Sequence, residues 1–371
     1  MSDKIKRFIT VHIPVYSCNF RCSYCYVGQH HDAYTHGISD FFISPTIFAN
    51  FFNVERTGGY CYFNLCAAGE TLLHPQLIEL VSLLTRQGHY VDIITNGVLS
   101  NKFETIEKVL DDFQKAHLFM KFSFHYLELK KLNLLEKFVE NINLCKRNKI
   151  SYTIEITPHD ELIRYIDEVK EFSVEQFGAL PHITVARNEN TRGIEILSNL
   201  QRDEYYKVWS VFDSDMFNFK FSTFNVKRKE FCYAGEWSLY VSLLTGDYYQ
   251  CYGGDLLGNL KNADKPINFR AIGRCRQPHC WNGHAFLTLG DIPSFDCITY
   301  RQLRNRTTLT GENWLQKEIS DFFDSKLNQA NNEYSEIKKK RRVFISILMS
   351  FVSRVNSKIL RFVRKRRYNH I

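Results

Sequence analysis

From residue 6 to about residue 215 the chain alternates strand-like and helix-like runs, and this rhythm restricts its possible folds more than any other feature. The strand candidates are Arg7–Tyr16, Tyr60–Leu65, Tyr90–Thr95, Leu118–Tyr126, Ser151–Thr157 and His182–Arg187. Ser44-Pro45 supplies an N-cap and a proline at the first helical position, which predicts a helix to about Arg56. Pro75–Gln87 places Leu77, Leu80, Val81 and Leu84 at helical spacing and stops at Gly88, and a further helix is predicted over 101–115. Six strand–helix pairs imply a parallel sheet. The predicted class is α/β, a partial (β/α)6 TIM-like barrel with its active site at the C-terminal ends of the strands.

The pattern changes after about residue 220. Residues 232–300 are rich in Gly, Tyr and Cys, with hairpin-like runs Ser238–Leu244 and Tyr248–Tyr252 around Thr245-Gly246-Asp247. A helical stretch is expected over about 311–335. The expected division is a barrel over 1–220, a small cysteine-rich module over 221–300, a helical extension over 301–337 and a basic helical tail over 338–371. With 371 residues, 44% of them apolar, the chain can bury such a core.

The charged start Met1-Ser2-Asp3-Lys4-Ile5-Lys6, with no apolar core behind it, sets the expectation of a cytosolic chain, where disulfides rarely persist and eleven cysteines demand another reason. Cys18-Asn-Phe-Arg-Cys22-Ser-Tyr-Cys25 follows the first strand directly and falls at the barrel mouth. Three thiolates in eight residues can wrap one corner of a cubane cluster, which normally takes four protein ligands. With no fourth cysteine nearby, one iron stays open for chemistry. A structural zinc knuckle would need a fourth ligand as well.

The C-x3-C-x2-C spacing, with Tyr24 before the last cysteine, resembles the radical S-adenosylmethionine (radical SAM) superfamily. The resemblance implies a [4Fe–4S] cluster on Cys18, Cys22 and Cys25 whose open iron chelates S-adenosylmethionine. It implies reductive cleavage to methionine and a 5′-deoxyadenosyl radical, with electrons from a donor such as a flavodoxin or ferredoxin. Gly69-Glu70, inside Ala67-Ala68-Gly69-Glu70-Thr71, resembles the superfamily's Gly-Gly-Glu-Pro segment, which implies that Glu70 accepts hydrogen bonds from the cofactor's amino group. Ala68 and Thr71 depart from that pattern. Thr95-Asn96-Gly97 matches a frequent superfamily turn and is also an ordinary turn signal. The cofactor-binding set implied is Tyr24, Gly69, Glu70, Asn96 and Ser123.

Alternation puts Lys121, Ser123 and His125 on one face of the fourth strand, and Thr153, Glu155 and Thr157 on one face of the fifth. Such polar stripes are unusual on central barrel strands. They read either as contacts to cofactor and substrate or as an internal salt bridge such as Lys121–Glu155. His125, Glu155 and Arg187 are the candidate catalytic residues.

Cys232, Gly246 and Cys251 resemble the opening of the SPASM extension of radical enzymes, C-x(9–15)-G-x4-C. The rest of that pattern is missing. Cys275 and Cys280 remain, so the shorter twitch type, with one auxiliary [4Fe–4S] cluster on Cys232, Cys251, Cys275 and Cys280, fits better. Cys297 is a substitute ligand, and zinc is the competing reading. Cys61, Cys66 and Cys145 read as small buried residues.

Of the 48 basic residues, 12 lie in 338–371, which has no Asp or Glu. The remaining 36 face 40 acidic residues, so the body is mildly acidic despite the formal net charge of +8. Phe344, Leu348, Phe351, Val355, Ile359 and Phe362 share one helical face in the tail. That reads as an interfacial helix drawn to anionic lipid, or as a helix packed on protein. Nucleic acid is less favoured, since a phosphate tracker needs no large apolar face. The expectation is a cytoplasmic enzyme, peripheral to the membrane at most. It would act on a small molecule such as a sugar or biosynthetic intermediate. The alternatives are a peptide- or protein-modifying maturase, which often carries a further domain before the barrel, and a non-catalytic iron–sulfur or zinc scaffold.

Overall fold

The computed structural model describes residues 3–30, 34–191 and 194–348. In chain order its strands are β1 Arg7–Ile13, β2 Cys61–Ala67, β3 Tyr90–Thr95, β4 Leu118–Ser123, β5 Ser151–Ile156, β6 His182–Ile183, β7 Arg187–Asn188, β8 Glu195–Ile196, β9 Phe231–Cys232, β10 Ser238–Ser242, β11 Asp247–Tyr249, β12 Leu256–Asn259 and β13 Gly273–Arg274. Nine of them form one sheet in the order β12-β11-β10-β1-β2-β3-β4-β5-β6. β1 to β6 pair in parallel with helices between them, as expected. β10 adds to the free edge of β1, also in parallel, and β11 and β12 follow antiparallel. Three strands of the cysteine-rich segment, β10 to β12, therefore continue the barrel sheet, while β9 and β13 pair with each other.

Register sorts the inner face into layers. Phe8, Tyr62 and Tyr90 stand level across β1, β2 and β3, and Thr10, Asn64 and Asp92 stand level one step on. Phe119, Lys121 and Ser123 on β4 align with Ser151, Thr153 and Glu155 on β5. The lower layer is apolar and packs on the helices Gly283–Leu289, Tyr300–Arg304 and Lys317–Asp324, through Phe286, Tyr300, Phe322 and Phe323. The outer face, with Ile9, Val11, Phe63, Leu65, Val91 and Ile93, packs against the barrel helices. The polar layer is buried above the aromatic one.

Several elements are shorter than expected, and local hydrogen bonding explains most of the breaks. The helix expected from Pro45 to Arg56 is two, Pro45–Phe51 and Val54–Thr57, because Asn53 Oδ1 caps the Arg56 N–H at 2.9 Å. The 101–115 helix divides into Ser100–Val109 and Asp112–Ala116 at a capping box formed by Asp111 and Gln114. β4 stops at Ser123, so His125 lies beyond the strand as the N-cap of helix Tyr126–Lys131. The sixth strand is only His182–Ile183, and Arg187 belongs instead to the β7–β8 hairpin. The stretch 311–335 holds helix Lys317–Asp324 and a single turn at Leu327–Gln329. Residues 336–348 are helical, with Phe344 and Leu348 exposed. The rest of the tail's apolar face, from Phe351 onward, lies outside the described residues. Among the described residues, no helix is long and apolar enough to cross a membrane.

Candidate active site

The loop after β1 carries Cys18, Cys22 and Cys25 over the C-terminal ends of the strands. Three contacts hold it there. A Cβ on Gly69 would lie 2.1 Å from the Ser17 carbonyl oxygen, so only glycine lets the loop backbone sit on the end of β2. The Glu70 N–H then donates to that carbonyl at 2.9 Å. Tyr24 is buried, its hydroxyl 2.8 Å from His125 Nδ1 and its ring stacked on His159 at 3.8 Å.

Glu70 is fully enclosed, and burial raises its pKa against the pull of backbone donors. Its Oε1 accepts from the Leu72 N–H at 3.0 Å and its Oε2 from the Asn96 N–H at 2.7 Å. The carboxylate thus ties the end of β2 to the end of β3. It retains lone pairs for a further donor. Asn96 Nδ2 donates to Asn19 Oδ1 at 2.6 Å, while Asn96 Oδ1 is buried without a partner.

Two of these thiols, Cys18 and Cys22, resist ionisation. Burial pushes Cys22 up to about 12, with a smaller push from its neighbours Cys25 and Cys18, and burial likewise raises Cys18. Thiols placed this way are poor free nucleophiles and lose their protons to a metal. Tyr34, which sequence reasoning passed over, donates to Cys25 Sγ at 3.3 Å. Among the described residues, no three His, Cys, Asp or Glu side chains converge as a single-ion site requires. A cubane corner needs no such convergence, since each thiolate takes a different iron.

One cavity of about 760 Å³ opens beneath this loop, lined by all three cysteines together with Glu70, Asn96, Ser123, His125, Glu155 and Arg187. Every residue expected for cofactor binding or catalysis lines it. Glu155 is already committed, paired with Arg304 from the helix Tyr300–Arg304. The Lys121–Glu155 bridge that one of the two readings allowed is not formed. Lys121 pairs with Asp92 at 3.2 Å, and burial, opposed by Asp92, lowers it to about 8. Burial, aided by His159, lowers His125 to about 4, so its ring is neutral near neutral pH. Arg187 Nη2 pairs with Glu189 at 3.0 Å and lies over the Tyr26 ring at 4.0 Å.

The four cysteines of the second set lie close enough to influence one another. Cys232 ends β9, Cys251 follows β11, Cys275 follows β13 and Cys280 precedes helix Gly283–Leu289. Burial raises all four, and each of Cys232, Cys251 and Cys280 is raised further by other members of the set. Cys280 lines the cavity. Cys297 stands apart, its thiol 3.3 Å from the Leu287 carbonyl and its charge coupled to Lys326 and Asp296 instead. Lys220 and His284 also line the cavity, and no sequence signal had singled them out.

Residues 13–173 match the family model of the radical SAM superfamily. The matched segment spans the cysteine loop, Glu70, Asn96, Ser123, His125 and Glu155. Among solved structures the chain is similar to SuiB of Streptococcus suis bound to S-adenosylmethionine, at 13% identity and a TM-score of 0.47, over 71% of this chain and 67% of that one. It is similar to anSMEcpe with bound AdoMet and Cp18Cys peptide, at 15% identity and a TM-score of 0.48, over 95% of this chain and 99% of that one. Archaeal TYW1 matches at 20% identity and a TM-score of 0.29, over 41% of this chain and 49% of that one. No curated protein matches the sequence.

Proposed function

We propose that this chain is a radical SAM enzyme that abstracts a hydrogen atom from a small molecule held between two iron–sulfur clusters. Cys18, Cys22 and Cys25 would hold the first cluster, and Cys232, Cys251, Cys275 and Cys280 an auxiliary one. The observation that carries this reading is the single cavity running from the first cysteine set to Cys280. Its volume of about 760 Å³ suits a cofactor and a small substrate side by side.

With cluster and S-adenosylmethionine bound, the site would supply a 5′-deoxyadenosyl radical. The protein's own groups bind and orient. Asn96 Oδ1, buried and unpartnered, and the spare lone pairs of Glu70 are acceptors for an ammonium group. Ser123 lines the same wall. Tyr24, fixed by His125 and His159, holds the cysteine loop down and keeps water from its inner side.

Two measurements test the reading. Cys22→Ala is expected to abolish 5′-deoxyadenosine formation in anaerobically reconstituted protein; continued formation would contradict the assignment. Cys232→Ala with Cys280→Ala is expected to lower bound iron by about half, leaving one cluster of two. Unchanged iron would remove the auxiliary cluster, and zinc in the wild type would replace it.

A further inference from the structure

The cavity's cations are nearly all matched by acids. Lys121 pairs with Asp92, Arg187 with Glu189 and Arg304 with Glu155. Lys220 is the exception. It projects from helix Asp215–Thr223 into the cavity, and its Nζ donates to Thr184 Oγ1 at 2.5 Å. Among the described residues it has no acidic partner. A cation left so costs free energy unless an anion joins it. Its neighbourhood is positive: burial lowers Lys220 well below its ordinary value, and the charges of Arg187 and Lys121 lower it further. His284 faces the same region and is lowered by burial and then by Lys220, Lys121 and Arg187. The helix that carries Lys220 packs against helix Gly283–Leu289, which follows Cys280.

We propose that Lys220, supported by Thr184, Arg187 and His284, anchors an anionic oxygen group, a phosphate or a carboxylate, of the small-molecule substrate. This rests on the cavity's being the substrate site of the proposed enzyme. The anchored end would lie toward Cys280. The aromatic rings of Tyr252, Trp281 and Phe224 line the same cavity and offer flat faces to the rest of the molecule.

The test uses anaerobically reconstituted full-length protein and calorimetric titration with inorganic phosphate and with malonate, each with S-adenosylmethionine present. Lys220→Met is expected to weaken binding of the preferred probe about tenfold or more, as loss of a charge-assisted hydrogen bond predicts. Lys220→Arg, which keeps the charge, should restore most of it. S-Adenosylmethionine affinity is expected to be the same in all three proteins. Preference for phosphate would assign a phosphorylated substrate, and preference for malonate a carboxylate. The inference is overturned if wild type binds neither probe, or if Lys220→Met binds like wild type. If S-adenosylmethionine fails to bind wild type, the enzyme assignment falls, whatever the probes do.

Discussion

Asp92 is the residue on which the buried polar layer turns. It is fully buried, accepts from Asn64 Nδ2 at 2.6 Å and from the Tyr62 hydroxyl, and neutralises Lys121 at 3.2 Å. Removing it leaves a buried ammonium and two donors unmatched. Asp92→Ala is therefore expected to cost about 3–5 kcal/mol in urea unfolding. The double variant with Lys121→Met should regain most of the loss, and a single-variant cost below about 1 kcal/mol would refute the hub. Asp92 was hard to see in the sequence. It sits within a strand-like run, and alternation identified the face of Lys121 without saying which acid it meets. Lys121 is level with Thr153, so Glu155 is one step along on β5 and was an equally good partner. Arg304, 149 positions further along the chain, claims Glu155 and settles the choice. By contrast the clustering of Cys18, Cys22 and Cys25 was visible at once, because a C-x3-C-x2-C spacing is local in sequence.

At the scale of elements, the barrel strands were readable from periodicity, and their ends were not. Helix breaks at Asn53 and Asp111 depend on caps that compete with continued apolar spacing, and the sixth strand was too short for a pattern to mark its end. Buried histidines between elements give a pH signature. His89 Nδ1 accepts the Cys61 N–H at 3.1 Å while Nε2 faces the Phe52 carbonyl at 2.9 Å, which fixes a neutral ring between β2 and helix Pro45–Phe51. Burial lowers His89 to about 4 and His182 to about 3. A histidine lowered in the fold binds its proton more readily when unfolded, so stability falls as pH drops below about 6.5 toward the folded value. Each is expected to contribute on the order of 1–3 kcal/mol of this loss. Thermal midpoints should fall steadily between pH 7 and pH 5, and a flat profile would count against neutral rings. Gly69→Ala acts on the same scale. It should displace the cysteine loop and lower iron retention after reconstitution.

On the scale of the whole molecule, the first half was legible and the second half only in its cysteines. Nothing in the spacing of Ser238–Leu244 said that it would pair with β1. The start of the tail docks on the cysteine-rich segment, with Arg276 Nη2 donating to the Ser346 carbonyl at 2.9 Å and Arg342 reaching the Ala271 carbonyl. Truncation after Leu348 keeps those contacts. It removes seven basic residues and the apolar positions Phe351, Val355, Ile359 and Phe362. The shortened protein is expected to release from anionic vesicles with its iron content intact. Retained binding would point to a protein-packed helix instead. The parallel pairing of β10 with β1 has a temporal consequence. Arg7 meets its acceptor on Glu236 across 229 positions of chain. During synthesis, the first strand therefore waits with one hydrogen-bonding edge bare until most of the polypeptide has emerged. Such distant closure is slow, and the waiting edge invites association with other nascent chains. Refolding yield should depend steeply on protein concentration, and a fragment ending near residue 220 should precipitate where the full chain does not.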